Sequence, residues 1–169
     1  MNGWCALLLL FLAAPIGRMP RVPPRSAPTP PFTANLALTV RTPAGEVKAQ
    51  TSPGQTPPLQ RANVTVKSGE KPQIRWQVKN VDAKRAIRNV VVHFLVHKQA
   101  APGEAVPAAP RKGSWMDSVM GTDISAKQAV SGSTATAIWS PGCYLVEIEL
   151  LDDQAKRRNY CLLEMTVTP

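Results

Sequence analysis

Two histidines, His93 and His97, are the only imidazoles in the chain. They stand four residues apart in and just beyond the apolar run 90–96. On an extended strand that spacing puts both rings on one face about 13 Å apart, too far for one metal ion without a ligand from a second element. Met116 and Met120 are the residues that would complete a copper site, through their soft thioether sulfurs. A nucleophilic enzyme needs a base beside its nucleophile, and neither a Gly-x-Ser-x-Gly elbow nor a Cys-His-Asp arrangement is evident. Glu147 and Glu149 stand side by side on one strand face. As a catalytic carboxylate pair they would require a sugar cleft, and their expected state is that of solvated face residues. No catalytic residue, metal ligand or cofactor is assigned.

Charge offers a different chemistry. Lys84, Arg85 and Arg88 fall in one polar stretch, and Lys156, Arg157 and Arg158 follow at the last turn. If the two groups share one end of the fold, they could hold a polyanionic glycan, a lipid headgroup or a nucleic acid by charge. Otherwise they are two solvated turns. No aromatic residues interleave with them to stack bases, so specific nucleic-acid recognition is not expected. Asn63-Val64-Thr65 matches the glycosylation sequon, which matters only in a eukaryotic secretory host.

The elements that must position these residues read as strands. Leu36, Leu38 and Val40 alternate with Ala37, Thr39 and Arg41. Ala62, Val64 and Val66 alternate with Asn63, Thr65 and Lys67, and Ile74, Trp76 and Val78 with Arg75, Gln77 and Lys79. A period of two with one apolar face describes antiparallel sheets packed on one side. The run 90–96 suits a central strand, and 118–124 and 133–139 are weaker candidates. The last pair is the clearest: Tyr144, Val146, Ile148 and Leu150, a turn at 152–156, then Cys161, Leu163, Met165 and Val167. No long window carries helical periodicity. Seven or eight short strands with long loops predict an all-β, immunoglobulin-like antiparallel β-sandwich, with an open barrel as the competing architecture.

That hairpin tests the cysteines. With Asp153 and Gln154 central in the turn, Cys143 lies opposite Glu164 and Cys161 opposite Val146. The two sulfurs then sit on different faces and about 10 Å apart along the strands, whereas a disulfide needs Cα atoms within about 7 Å. Two free thiols are expected, with Cys161 a small buried hydrophobe.

The rest of the 169 residues frames one domain. The formal charge is +9 and the sequence pI is near 10.0, which favours solubility and anionic surfaces without naming a partner. Residues 4–16 form an apolar block too short to span a bilayer, which needs about 20 apolar residues, and suited to a signal peptide over 1–17. Cys5 lies too early in it to be a lipid-anchor cysteine. Residues 18–32 hold much of the chain's proline and should be an extended, disordered linker. The sandwich domain is expected over 33–169, with 42–60, rich in Pro, Gly, Thr and Gln, a flexible insertion between two strands.

Several pieces occur in a familiar order: Val-Lys-Ser-Gly-Glu-Lys-Pro (66–72), Arg-Trp-Gln-Val-Lys-Asn (75–80), Asn-Val-Val-Val-His-Phe-Leu-Val (89–96), Gly-Ser-Thr-Ala-Thr (132–136), and Trp-Ser-Pro-Gly-Cys-Tyr-Leu-Val-Glu-Ile-Glu-Leu-Leu-Asp (139–152). Over residues 61–169 this order resembles the bacterial extracellular CARDB domains, related in fold to fibronectin type III modules. The resemblance implies structural motifs: a turning Gly, a Tyr at the sandwich corner, an Asp opening the next turn. It implies adhesion, protein or glycan binding, or spacing, and brings no active site. The expected function is that of an exported, non-enzymatic sandwich in the periplasm, at the cell surface or secreted. It would bind an unknown protein or glycan or serve as an envelope component, with no transmembrane span. The alternative is periplasmic copper handling by His93, His97 and the methionines.

Overall fold

Alternation is the rule by which this chain closes. In the first strand, β1 (Ala34–Thr42), Ala34, Leu36, Leu38 and Val40 are fully buried while the residues between them are not. Seven further strands and a long return follow: β2 (Gly45–Thr51), β3 (Ala62–Lys67), β4 (Gln73–Asn80), β5 (Ile87–Gln99), β6 (Trp115–Ile124), β7 (Ala129–Ser133), β8 (Gly142–Asp152) and β9 (Arg157–Thr168). The computed structural model describes residues 33–55, 61–106, 115–134, 139–152 and 157–169, with backbone alone at 115–118, 120 and 157. The expected signal peptide (1–17), proline-rich linker (18–32) and Lys156 lie outside the described residues.

The strands form two sheets, a four-stranded one in the order β2-β1-β4-β7 and a five-stranded one in the order β3-β9-β8-β5-β6. The molecule is therefore all-β, with two sheets packed as the expected β-sandwich. Its core lies between the sheets. Leu36, Leu38, Ile74 and Trp76 from the first meet Phe94, Ile148, Leu150, Leu163 and Met165 from the second. Burying each such side chain stabilises the fold by about 1.5–3 kcal/mol before entropy is counted. One pairing departs from the antiparallel expectation: β3 runs parallel to β9, Ala62 opposite Leu163 through Lys67 opposite Thr168.

Two local devices fix the ends. The Tyr144 hydroxyl donates to the carbonyl of Ser140 (2.8 Å), and its ring takes the edge of Trp139 at 5.1 Å between centroids. This is the tyrosine corner of immunoglobulin-like sandwiches. At the end of β4, Asn80 is fully buried. Its Nδ2 donates to the carbonyls of Arg85 (2.8 Å), Ile124 (3.1 Å) and Ser125 (3.3 Å), and its Oδ1 accepts from Asp82 N (3.0 Å) and Thr33 Oγ1 (3.3 Å). One side chain thus ties together β1, the loop after β4 and the turn between β6 and β7.

Three expectations need correction. The stretch 42–60 is not simply a flexible insertion, because Gly45–Thr51 pairs with β1 over seven rungs as β2. Its alternation is hard to see because this is an edge strand, where Val47 and Ala49 are only half-buried. Of the strand expected at 133–139, Thr134 and Trp139 lie in no strand and 135–138 fall outside the described residues, while a strand ending at its first residue, Ala129–Ser133, is found as β7. In the last hairpin Cys143 faces Thr166 and Cys161 faces Ile148, with Asp152 opposite Arg157. The connection therefore spans four residues instead of two, a slip that preserves the facing of every side chain.

At Gly132 the edge strand β7 passes over an indole. A Cβ placed there would lie 2.6–2.7 Å from Cε2, Cζ2 and Nε1 of Trp76, the residue opposite it on β4. Gly132→Ala should therefore lower stability by about 1–3 kcal/mol, the usual cost of overpacking, measurable as a fall in Tm or in the denaturant midpoint.

Candidate functional site

Both faces of β8 are buried: Tyr144 through Leu150 are all inaccessible. The second buried face, on the side away from the core, carries both of the chain's histidines and their carboxylate partners. β5 contributes His93, Leu95 and His97; β8 contributes Leu145, Glu147, Glu149 and Leu151; β9 contributes Arg158, Leu162 and Glu164. His97 Nε2 lies 3.2 Å from Glu147 Oε2, and both side chains are 0% exposed. His93 Nδ1 lies 3.4 Å from Glu149 Oε2, and Arg158 pairs with the other oxygen of the same carboxylate. Arg61 Nη1 reaches Glu164 Oε1 at 2.7 Å, where the Gly103 amide also donates (2.8 Å).

Two expectations fall here. Glu147 and Glu149 are not solvated, since they are 0% and 2% exposed and each holds a histidine. Arg158 is not a surface cation of the last turn but is buried against Glu149. The physical reason is the same for both. Charged groups survive inside a fold when opposite partners and hydrogen bonds replace water, and this face supplies those partners from three adjacent strands.

The histidines share one face of β5, as their spacing requires, yet each ring nitrogen facing β8 is engaged by its own carboxylate. Met116 stands at the register position of Leu95, and Ser118 at that of His93. Among the described residues no three of His, Cys, Asp and Glu gather as a metal-binding group. Cys143 and Cys161 are both free thiols, the first half-buried and the second buried in the core.

Burial pushes the Cys161 thiol up to about 11 from an ordinary 9.0, only partly offset by hydrogen bonds from Thr51 and from the backbone of Leu38 and Leu162. A folded-state value above the unfolded one means the contribution is complete below about pH 9 and is lost as pH climbs toward 11. In a Cys5→Ser chain, Cys143 should react with a disulfide reagent under native conditions and Cys161 only after unfolding. Equal native rates for the two thiols would contradict this placement.

Arg88 and the backbone of Arg157 and Arg158 fall at one end of the five-stranded sheet, while Lys156 lies outside the described residues. β5 begins where β8 ends, with Val91 opposite Leu151 and Asp152 opposite Arg157. Lys84 and Arg85 are exposed in the loop before β5. Their backbone amides cap the Asp82 carboxylate (2.8 and 2.9 Å) and hold it below its usual range. Arg88 is exposed and 3.5 Å from Asp123. Lys84, Arg85 and Arg88 thus form a small cationic rim, which Arg158 does not join.

A surface the sequence reading missed lies on the opposite sheet. The outward residues of β1, β4 and β7 form an open groove of about 580 Å³ lined by Thr39, Gln73, Arg75, Gln77, Ser131 and Ser133, with Trp76 and Gly132 contributing to its floor. The polar halves of β1 and β4 were visible as alternation. That β7 lies beside β4 was not, and the groove exists only through that adjacency. No described helix is long and apolar enough to cross a membrane. No protein-family model matches the chain, and no curated protein matches it.

Proposed function

We propose that this chain is an exported, non-enzymatic binding module of the cell envelope, similar to CARDB domains, that engages a protein or glycan. One observation carries the reading. Both histidines are paired with carboxylates of the second sheet, whereas exposed polar side chains of the first sheet line an open, shallow groove. Binding needs exposed and complementary polar groups; catalysis needs a reactive group poised in a cleft. Export is supported by the apolar block 4–16, followed by arginines and a proline-rich stretch. The copper alternative has less to work with, because Glu147 and Glu149 already engage His97 Nε2 and His93 Nδ1.

Expression of the full chain in a bacterial host, with fractionation and mass spectrometry of the N-terminus, tests the reading. The expected product lies outside the cytoplasm and begins after residue 14 or 17. A cytoplasmic product retaining the apolar block would overturn export. Stoichiometric copper binding lost in His93→Ala would replace the module by the metal-handling reading.

A further inference from the structure

The outer face of the four-stranded sheet is a grid of polar side chains whose rows can be read across the strands. One row runs Lys48, Thr39, Arg75, Ser133 and the next Gln50, Ala37, Gln77, Ser131. Short residues on β1 and β7 stand beside longer ones on β4, and together they line the groove. The face is also charged in one sense. It carries Arg41, Lys48, Arg75 and Lys79 against the single acid Glu46, which Arg41 holds at 2.9 Å. Among the described residues no acid pairs with Lys48, Arg75 or Lys79.

These three exposed cations are spread out. Lys48 and Arg75 stand two strands apart, about 10 Å, and Lys79 lies about 13 Å along β4 from Arg75. Such spacing suits a polymer with recurring negative charge better than one small anion. Between the cations stand hydroxyls and amides, Thr39, Gln73, Gln77, Ser131 and Ser133, which both donate and accept hydrogen bonds as sugar hydroxyls do. The groove lining offers no exposed aromatic ring for base stacking, which contributes about 1–3 kcal/mol per base where it occurs.

Resting on the module reading above, we infer that this groove binds an acidic polysaccharide, with its carboxylate or sulfate groups against Arg75, Lys48 and Lys79 and its hydroxyls on the Gln, Thr and Ser side chains. Arg75 is the anchor, because it alone of the three lies within the groove and its guanidinium can grip an oxyanion with two parallel hydrogen bonds.

Isothermal titration of the purified full chain with an oligogalacturonate, a heparin oligosaccharide, a neutral dextran oligosaccharide and a single-stranded oligothymidylate tests this at physiological salt. One or both acidic glycans should bind, with the carboxylated and sulfated probes separating the two anion types. Arg75→Gln should weaken binding about tenfold or more, the size of a lost charge-assisted contact. Lys67→Gln, exposed on β3 in the other sheet, should change it less than about twofold, with Tm unchanged in both variants. Equal losses in the two variants, tighter binding of the oligothymidylate, or no response to either acidic glycan would overturn the inference. Dextran binding that Arg75→Gln abolishes would overturn the acidic ligand and leave the module standing. Release of new reducing ends from the oligogalacturonate would overturn the non-enzymatic reading instead.

Discussion

Asn80→Ala should lower the stability of the domain by about 3 kcal/mol, a fall in Tm of roughly 10 °C for a domain of this size. Few single side chains in the fold carry comparable weight. Asn80 is wholly buried, and its removal takes a hydrogen bond from the carbonyls of Ile124, Arg85 and Ser125 (the last keeping the Gln128 amide) and from the amide of Asp82. A buried polar group stripped of its hydrogen bond costs about 1–3 kcal/mol, and relaxation of the loops toward water recovers part of the total. Asn80→Asp is the sharper variant. It keeps the shape and the acceptor for Asp82 N and Thr33 Oγ1, yet turns a second acceptor toward three carbonyl oxygens. It should therefore be at least as unstable as the alanine variant. Chemical denaturation of both checks the account, and a near-native Asn80→Asp would mean that the amide faces the other way.

The second large effect belongs to the buried pair His97–Glu147. Glu147→Leu or His97→Leu alone should cost about 3–5 kcal/mol, because each removes from the other, wholly buried polar group the opposite partner it holds at 3.2 Å. The double variant should be destabilised by clearly less than the sum of the two. It replaces a polar contact by apolar volume next to Leu95, Leu145 and Leu162, all of which are buried on that face. A coupling of about 0.5–3 kcal/mol is the expected range for side chains in contact. Strict additivity in a denaturant series would show that the 3.2 Å contact carries no energy of its own.

How far the residues alone disclose this molecule depends on whether a feature is local. The strands β1, β4, β8 and β9 were legible because their apolar positions repeat every second residue; burial follows that pattern in β1 and β4, whereas β8 is buried on both faces and β9 largely so. β2 was not, since an edge strand with Glu46, Lys48 and Gln50 on one side and half-buried Val47 and Ala49 on the other looks like a loop. The alternation of β8 gives Glu147 and Glu149 their shared face but not that face's burial. Polar alternation ordinarily means solvent, and only their pairing with His93, His97 and Arg158 from neighbouring strands reverses it. The same holds for Arg158, whose neighbours in sequence suggested a cationic turn. The polar groove was half legible: Thr39, Arg75 and Gln77 announce an exposed side, but nothing local brings Ser131 and Ser133 alongside.

The parallel pairing of β3 with β9 has a consequence for how the protein is made. Arg61 and Glu164, partners at one end of that pairing, are 103 positions apart in the sequence, and Ser68 donates its amide to Thr168 at the other. During translation β3 leaves the ribosome long before its neighbour exists, so the five-stranded sheet cannot close until β9 has emerged. Contacts of such span also slow closure, because the chain must surrender its freedom before they reward it. β3 therefore has no neighbour to pair with in its own sheet until the last strand has been made.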